Sequence, residues 1–224
     1  MTPKQLYDRF RSDVEDDVVP YLWSKEEVLG YMDDAQQMLC RESFGIRDAS
    51  SPATQCEVIA GEAFTELDPS ILLVRSVTLA SSGKKLRVYS YEELYGANTE
   101  PSCWGGRFMS LSGPVIAVVI GMEEGKLRLV QIPAVEDTLE LVVERLPLTI
   151  PDLTTESELE VRREHHLALL MWMKHLAFAK EDSETYDRAR SDENEMRFLA
   201  YCAKAKAEKE RRDSKPRLIA YGGL

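Results

Sequence analysis

Three histidines, His165, His166 and His175, are the residues of this 224-residue chain best suited to bind a metal or transfer a proton. His166 and His175 are nine residues apart and would lie roughly on one face of a helix. The chain lacks the HExxH spacing of helical zinc ligands, and no cysteine is close to these histidines. We therefore expect all three to lie on a helix surface or in the core and not to bind a metal.

The four cysteines are the other possible metal ligands, and they are widely spaced: Cys40, Cys56, Cys103 and Cys202. The chain has no CxxC pair, whereas a zinc site needs clustered ligands and a disulfide framework needs denser cysteines in a smaller chain. Free thiols, buried or half-buried in a protein from a reducing compartment, are therefore the expected state.

Short motifs that contain serine, glycine or paired acids do not match catalytic patterns. Ser112 lacks the flanking glycines of a nucleophile elbow, and residues 121–125 lack the Lys-Ser/Thr of a phosphate-binding loop. Asp16-Asp17 and Asp33-Asp34 lack the spacing of a calcium loop, and we interpret them as helix-surface charge. We predict no catalytic residue, no metal ion and no cofactor, so the protein is not expected to be an enzyme.

The composition is that of a soluble globular protein, with 44% hydrophobic and 30% charged residues. The apolar stretches are far shorter than the roughly 20 residues needed to cross a bilayer. The first residues lack an apolar signal region, so we expect the protein to stay where it is made. The net charge of −11 argues against a protein that wraps nucleic acid, because Lys and Arg drive phosphate binding.

Charge is distributed unevenly between the two ends of the chain. Residues 1–34 contain four basic and nine acidic side chains, whereas residues 204–224 contain seven basic and three acidic ones. Two interpretations stay open: head-to-tail or partner contacts between oppositely charged surfaces, or two solvated helix faces.

The N-terminal region is predicted to form two amphipathic helices. Thr2 can cap the first, Pro3 suits its first position, and Pro20 ends it after about Val19. Ser24 begins the second, because a glutamate three residues later has the spacing of a capping box. Apolar residues then recur at helical spacing, which indicates that this helix packs on another element.

Residues 50–150 carry the pattern of β-structure, in short β-branched runs separated by Gly and Pro. Residues 81–84 predict a hairpin turn between two of these runs, and Tyr91–Tyr95 predicts a helical turn. In the last run Leu139, Leu141 and Val143 alternate with other residues, as in a half-buried strand. The predicted strands are residues 71–79, 86–89, 108–111, 115–120, 127–132 and 139–145.

Helices return after Pro151. Thr155 with Glu158 has capping-box spacing for a long helix that reaches about Lys180. Asp182-Ser183 is predicted to cap the next helix, which extends into the charged run 204–212 before Pro216.

These elements predict an α+β fold. Helices from both ends form a helical bundle, and an antiparallel β-sandwich or barrel-like domain is inserted between them. The predicted boundaries are residues 1–49 and 151–210 for the bundle, 50–150 for the β domain and 211–224 for an extended C-terminal tail.

Segments along nearly the whole chain resemble segments of one known protein family. They are residues 22–36, 69–75, 85–94, 137–141, 145–147, 165–189 and 216–223. The first contains Trp23-Ser24-Lys25-Glu26-Glu27 and leads into Asp33-Asp34-Ala35, and the last ends in Tyr221-Gly222-Gly223. Together they resemble the adaptor, or head-to-tail connector, proteins of tailed bacteriophages.

The resemblance implies a homo-oligomeric ring, usually dodecameric, docked beneath the portal protein of the filled head. The helical part would form the ring wall, and the β domain would face tail or nozzle proteins. DNA would pass through the channel without sequence-specific binding, which suits a net-acidic ring. The protein would be made in the host cytoplasm and located in the virion at the head–tail junction, without a membrane partner.

The C-terminal tail is the portal-binding element that the resemblance implies. A basic and apolar segment can order on its partner and bury apolar side chains, while glycine allows close backbone approach. The predicted portal-binding residues are Arg211, Arg212, Lys215, Arg217, Leu218, Ile219, Tyr221, Gly222, Gly223 and Leu224. A frayed terminus is the alternative interpretation.

Two other functions stay open from the sequence. A tail-completion or tube-terminator subunit would also form a ring but would contact the tail and not the portal. A small-molecule-binding module would hold its ligand in the β domain near Trp104 and Tyr91, although the sequence shows no convergent polar groups there.

Overall fold

A computed structural model describes residues 1–43, 45–95, 109–154, 156–182 and 184–214. The chain divides into two compact units. A helical unit contains residues 1–45 and the described residues from Pro147 onward, and a β unit contains Ile46–Leu146. The fold is α+β as predicted, with five α-helices and a curled, half-barrel sheet in the part of the chain that is described.

The chain starts in the helical unit, then forms the whole β unit and returns to the helical unit. The helices are α1 (Pro3–Asp13), α2 (Lys25–Ser43), α3 (Tyr91–Tyr95), α4 (His166–Ala179) and α5 (Arg188–Asp213). The strands are β1 (Ile46–Asp48), β2 (Gln55–Val58), β3 (Phe64–Glu66), β4 (Ile71–Leu79), β5 (Lys85–Ser90), β6 (Ser112–Gly113), β7 (Ala117–Ile120), β8 (Lys126–Val130), β9 (Ile132–Pro133) and β10 (Asp137–Arg145).

Capping of α1 and α2 follows the sequence prediction. Thr2 Oγ1 accepts a hydrogen bond from the Gln5 N–H at 3.3 Å. Ser24 Oγ accepts from the Glu27 N–H at 3.2 Å, and the Ser24 N–H donates to the Glu27 carboxylate at 2.7 Å. Each reciprocal arrangement satisfies N–H groups that a helix N-terminus leaves without intrahelical partners.

The first helix is shorter than predicted, because it ends at Asp13 and not near Val19. Glu15 adopts the left-handed conformation, with φ of 59°, which ends an α-helix. The chain then turns back, and the Asp16 N–H donates to the Arg11 carbonyl at 3.0 Å.

The predicted starts of the two C-terminal helices are wrong. The first begins at His166 and not at the predicted capping box, whose Thr155 lies outside the described residues. In the preceding segment the Glu160 carboxylate accepts from the Leu148 and Thr149 N–H groups, so this acid ties two chain segments together.

The last helix begins after Asp187, whose carboxylate caps it by accepting from the Arg190 N–H at 3.0 Å. The predicted cap, Asp182, accepts instead from the N–H groups of Glu184 and Thr185 and closes a turn. Ser183 lies outside the described residues.

The β unit contains an eight-stranded sheet in the order β1-β10-β4-β5-β7-β8-β3, with β2 also paired to β10. The predicted hairpin is confirmed, because β4 and β5 pair antiparallel with Val77 opposite Leu86. The expectation of a wholly antiparallel sheet is wrong: β5 and β7 are parallel, and so are the short strands β6 and β9.

Strand prediction failed mainly for short segments. The three-to-four-residue strands β1, β2 and β3 carry too little alternation to be recognised, and only their pairing with β10 and β8 defines them. Of the strand predicted at 108–111, the described residues Met109–Leu111 form a turn and a bend, and Phe108 lies outside the description.

The strand β10 lies between β4 on one side and β1 and β2 on the other. Leu139, Leu141 and Val143 are buried in the β core, as their alternation predicted. Register shifts relative to β4 on either side of the pair Val143–Glu144 then interrupt the alternation. Glu144 is consequently fully buried.

Candidate assembly surface

The long helix α5 carries the described part of the predicted portal-binding segment. Phe198, Cys202 and Ala205 are buried along it and anchor it in the helical unit. The helix ends at Asp213, and the Ser214 N–H donates to the Glu210 carbonyl at 2.9 Å. The charged end of the helix is therefore held by buried residues two to three turns earlier.

Two of the ten predicted portal-binding residues lie in this last turn. Arg211 Nε donates to the Ala207 carbonyl at 3.3 Å, and Arg212 Nη1 lies 3.7 Å from a Glu164 carboxylate oxygen. Both arginine side chains are exposed. The other predicted residues lie outside the described structure: Lys215, Arg217, Leu218, Ile219, Tyr221, Gly222, Gly223 and Leu224.

An open cleft of about 640 Å³ lies beside the end of α5. Its lining is formed by Glu164, His165, Tyr201, Glu208, Arg211 and Arg212. The Tyr201 hydroxyl donates to the Glu164 carbonyl at 3.1 Å, so the His165 Nδ1–H, 2.9 Å away, donates to this hydroxyl. Burial lowers the pKa of His165, so its ring is neutral at neutral pH. The cleft thus presents two arginines and two carboxylates, which suits ion pairing with another macromolecule.

The other two histidines also contact groups of the helical unit. His166 Nε2 lies 2.8 Å from the Val161 carbonyl, and burial lowers the pKa of this ring. His175 Nδ1 lies 3.0 Å from Ser191 Oγ, which in turn is 3.0 Å from the His175 carbonyl. Across the described ranges, with their gaps, no group of three or more His, Cys, Asp or Glu residues could hold a metal ion.

The thiols of Cys40, Cys56 and Cys202 are buried, as predicted, and Cys103 lies outside the described residues. Burial raises the pKa of Cys56 to about 11 and that of Cys202 to about 12. Both thiols are therefore protonated at neutral pH and are poor nucleophiles.

Sequence analysis missed a buried cluster that supports the helical unit. The Arg11 guanidinium pairs with the Asp16 carboxylate and donates to the Trp23 carbonyl and the Tyr7 hydroxyl, each at 2.7 Å. The Asp16 carboxylate also accepts from the Leu22 N–H at 2.8 Å. Asp16 is thus a buried residue and not the helix-surface charge that we expected. The sequence held one weak signal: Asp16 lies five residues after Arg11 and four residues before Pro20.

Trp23 connects this cluster to α4. Its indole Nε1–H donates to the Ala177 carbonyl at 3.2 Å. The ring makes edge contacts with Phe10 and Phe178, at centroid distances of 5.9 and 6.1 Å. The tryptophan at the start of the Trp-Ser-Lys-Glu-Glu segment is therefore a core residue that joins the two ends of the chain.

The ligand site considered in the β unit is only partly described. Trp104 lies outside the described residues, and Tyr91 is half exposed at the start of α3. A separate cleft of about 570 Å³ is lined mainly by apolar residues, among them Val58, Pro114 and Val135. Its Asp137 carboxylate already accepts from Ser81. The lining also contains Ser82, Lys84 and Glu136.

The described part of the chain thus presents an exposed, charged helix end and no cluster of residues that could hold a metal ion. The chain matches the model of the SU10 adaptor protein family over residues 1–219. It therefore belongs to the SU10 adaptor protein family, a family of phage head-to-tail adaptors. A comparison with curated proteins gave no match.

Family membership confirms the resemblance seen in the sequence. The protein is a structural phage adaptor located in the virion, and its family is not an enzyme class. Adaptors of this kind assemble with portal and tail proteins. Within the described residues, no helix is long and apolar enough to cross a membrane.

Proposed function

We propose that this protein is one subunit of a homo-oligomeric ring, usually dodecameric in such adaptors, that docks beneath the portal. The end of α5 and residues 215–224 bind portal subunits, and the ring encloses a channel for DNA. The observation that carries the proposal is the anchoring of α5, which holds Arg211 and Arg212 in solvent at the start of the basic and apolar terminus.

The contacts of α5 support this role for its end. Lys209 Nζ donates to the Gly45 carbonyl at 2.7 Å, less than one helical turn before the two arginines. A helix held this close to its end loses little further conformational freedom when a partner binds the arginines. The terminal segment would then order on the partner and add apolar contacts.

The charge of the protein supports the proposed channel. A net charge of −11 makes a ring of identical subunits strongly acidic, which limits adhesion of the DNA that passes through it. The β unit would present its loops to tail or nozzle proteins. The two units would then have different roles: the helical unit would form the ring wall, and the β unit would contact the tail.

Attachment of purified protein to portal-bearing capsids tests the proposal. Removing residues 215–224 should abolish attachment while the thermal unfolding midpoint stays unchanged, because the deleted residues follow the end of α5. The double variant Arg211→Glu/Arg212→Glu should weaken attachment as well, because it reverses two exposed charges.

A matched control lies on the same helix. Arg188→Glu/Arg197→Glu also reverses two exposed arginines of α5, whose partners are the neighbouring acids Asp192 and Glu193, and it should leave attachment unchanged. Unimpaired attachment of the truncated protein would contradict the proposal. Binding of the full chain to tail proteins without binding to the portal would support a tail-completion ring instead.

A further inference from the structure

The long helix α5 carries a second row of apolar residues, on the side opposite its buried face. The members of this outer row are Met196, Ala200, Ala203 and Ala207. Their spacing of four, three and four residues places them on one face, roughly half a turn from the buried Phe198 and Cys202. All four are exposed, and Met196 is 64% exposed. Apolar residues at this spacing form the seam along which one helix packs on another, so the outer row is suited to receive a helix.

The size and charge of the outer row restrict the helix that fits it. Its three alanines allow a close approach, because the distance between two packed helices depends on the side chains at the contact. Lys204 follows Ala203 and is exposed on one flank of the row, and no ion pair of the described residues involves it. A fitting partner therefore has a small residue at its centre and acidic residues beside it.

Gly30 gives the outer face of α2 such a centre. It lies in the interior of α2 and is exposed, and a Cβ added to it would meet no atom within 4 Å. Glycine inside a helix is unfavourable, because it loses more conformational freedom on folding than any other residue. The described part of the subunit therefore has no packing reason for glycine here, whereas the close approach of a second helix supplies one.

The face of α2 around Gly30 is acidic. The acids three or four residues from Gly30, on the same face, are Glu26, Asp33 and Asp34. The Asp33 carboxylate accepts from the Gln37 amide at 2.8 Å, and the Asp34 carboxylate accepts from the Trp172 indole at 2.6 Å. Both donors are neutral, so these contacts leave the negative charge of the two carboxylates uncompensated.

We propose that the outer row of α5 in one subunit packs against the Gly30 face of α2 in a second copy of this chain. The two helices run parallel, Ala203 lies opposite Gly30, and Lys204 lies over the carboxylates of Glu26 and Asp33. Because the two surfaces differ, the contact is head-to-tail and can repeat from copy to copy until a ring closes. The inference rests on the proposed ring and specifies the contact between its subunits.

This register also gives a partner to the exposed end of the outer row. Met196 lies beside the loop that precedes α2, whose Tyr21 and Leu22 are 47% and 42% exposed. The buried Asp16 carboxylate holds this loop by accepting from the Leu22 N–H at 2.8 Å, so the loop loses little conformational freedom on binding. The contact thus joins the acidic N-terminal region of one copy to the basic C-terminal region of the next.

Disulfide cross-linking of the full chain tests the contact. Gly30→Cys and Ala203→Cys are combined in one chain that also carries Cys103→Ser, and the protein is oxidised free in solution and on portal-bearing capsids. Because the two new cysteines face each other in neighbouring copies, a non-reducing gel should show a ladder of dimers, trimers and longer species. Each single-cysteine variant should give dimers at most, because one cysteine can join only two chains.

A charge exchange tests the same contact without relying on the position of the cysteines alone. Lys204→Glu, added to the double-cysteine chain, should reduce the yield of the ladder several-fold, because it brings like charges together. Adding Asp33→Lys to that chain should restore the ladder, which a merely structural role of Lys204 would not predict. The control Lys4→Glu reverses an exposed charge on α1 and should leave the ladder unchanged.

Three results would overturn the inference. The first is the absence of the ladder both in solution and on capsids, which would leave the charged ends of the chain as solvated helix surfaces. The second is a ladder that Lys204→Glu does not reduce, and the third is a reduction that Asp33→Lys does not reverse. Portal attachment without a ladder would reject this contact alone, whereas a ladder in solution without portal attachment would reject only the proposed portal binding.

Discussion

The helical unit and the β unit both bury ion pairs, but the pairs connect very different parts of the chain. In the helical unit Arg11 and Asp16 are five residues apart and stabilise the turn that follows α1. In the β unit Arg145 and Asp48 are 97 residues apart and join the last strand to the first at 2.6 Å. The same chemistry therefore closes a local turn in one unit and joins the two ends of the chain segment in the other.

In the helical unit a buried long-range contact is aromatic, whereas the long-range ion pairs Lys174–Asp13 and Lys180–Glu27 are partly exposed. Trp23 reaches Ala177 and Phe178 across more than 150 residues of sequence, a separation of 154 for the indole hydrogen bond. The β unit adds a second ionic contact, because Arg47 of β1 and Arg75 of β4 both bind the buried carboxylate of Glu144. Buried ion pairs thus join distant segments in the β unit, whereas in the helical unit the buried ion pair is local and aromatic packing joins distant segments.

The largest effect is expected from Trp23→Ala. Loss of the ring and of its hydrogen bond should lower the free energy of unfolding by about 4–5 kcal/mol, because a large cavity remains in the core. Hydrogen exchange should accelerate first in the helical unit. Tyr186→Ala, at a half-exposed site, is the control and should cost about 0.5 kcal/mol or less. A uniform change in both units would show that the tryptophan does not act on its unit alone.

A smaller loss is expected from breaking the buried ion pair of the β unit. Arg145→Met leaves the Asp48 carboxylate buried without its cation and should cost about 3 kcal/mol. The double variant Asp48→Asn/Arg145→Met should cost less than the sum of the two single variants, as measured by urea unfolding. Strict additivity would mean that the pair contributes no coupling energy, and the comparison of the two units would fail.

Acid should weaken the β unit through Asp48. Burial by itself would raise the pKa of this carboxyl, but hydrogen bonds from the Ser50 and Ser51 main chain and from Arg145 lower it well below its ordinary value. The contribution to stability is full above the unfolded pKa of about 3.9 and is lost as the pH falls towards the folded pKa. Urea midpoints between pH 7 and pH 2 should therefore decline less steeply for Asp48→Asn. Identical slopes for the variant and the wild type would exclude this role.

The smallest effect is expected at the half-exposed pair Lys180–Glu27, whose atoms lie 2.8 Å apart. Its hydrogen bond is the main cause of the lowered pKa of Glu27, but solvent screens the interaction. Lys180→Met should change the unfolding free energy by about 0.5 kcal/mol or less. A loss as large as that of Arg145→Met would contradict the view that the partly exposed ion pairs of the helical unit contribute little.

Local sequence determined the elements that are defined by a cap, a turn or an alternation of apolar residues within a few positions. The cap at Thr2, the capping box at Ser24, the hairpin turn at residues 81–84 and the alternation in β10 were all predictable, because neighbouring residues satisfy one another's hydrogen bonds or share one face. The family resemblance was equally visible, since it rests on short motifs in order along the chain. The basic terminus was recognisable from composition and Arg211 and Arg212 are exposed, while portal binding by this terminus stays a prediction.

Tertiary structure decided which of several possible partners each group takes. Glu160 binds main-chain groups of an earlier segment, Glu144 is buried by a register shift and two arginines, and β7 pairs parallel to β5. A small cavity of the helical unit is lined by Pro3, Gln36 and residues between Thr149 and Glu160. Gln36 and Thr149 are more than 100 residues apart in sequence, so no local pattern predicts this cavity. A local pattern indicates which interactions a residue can make. Its actual partner is decided in the folded chain, where groups from distant segments compete for the same hydrogen bonds and apolar contacts.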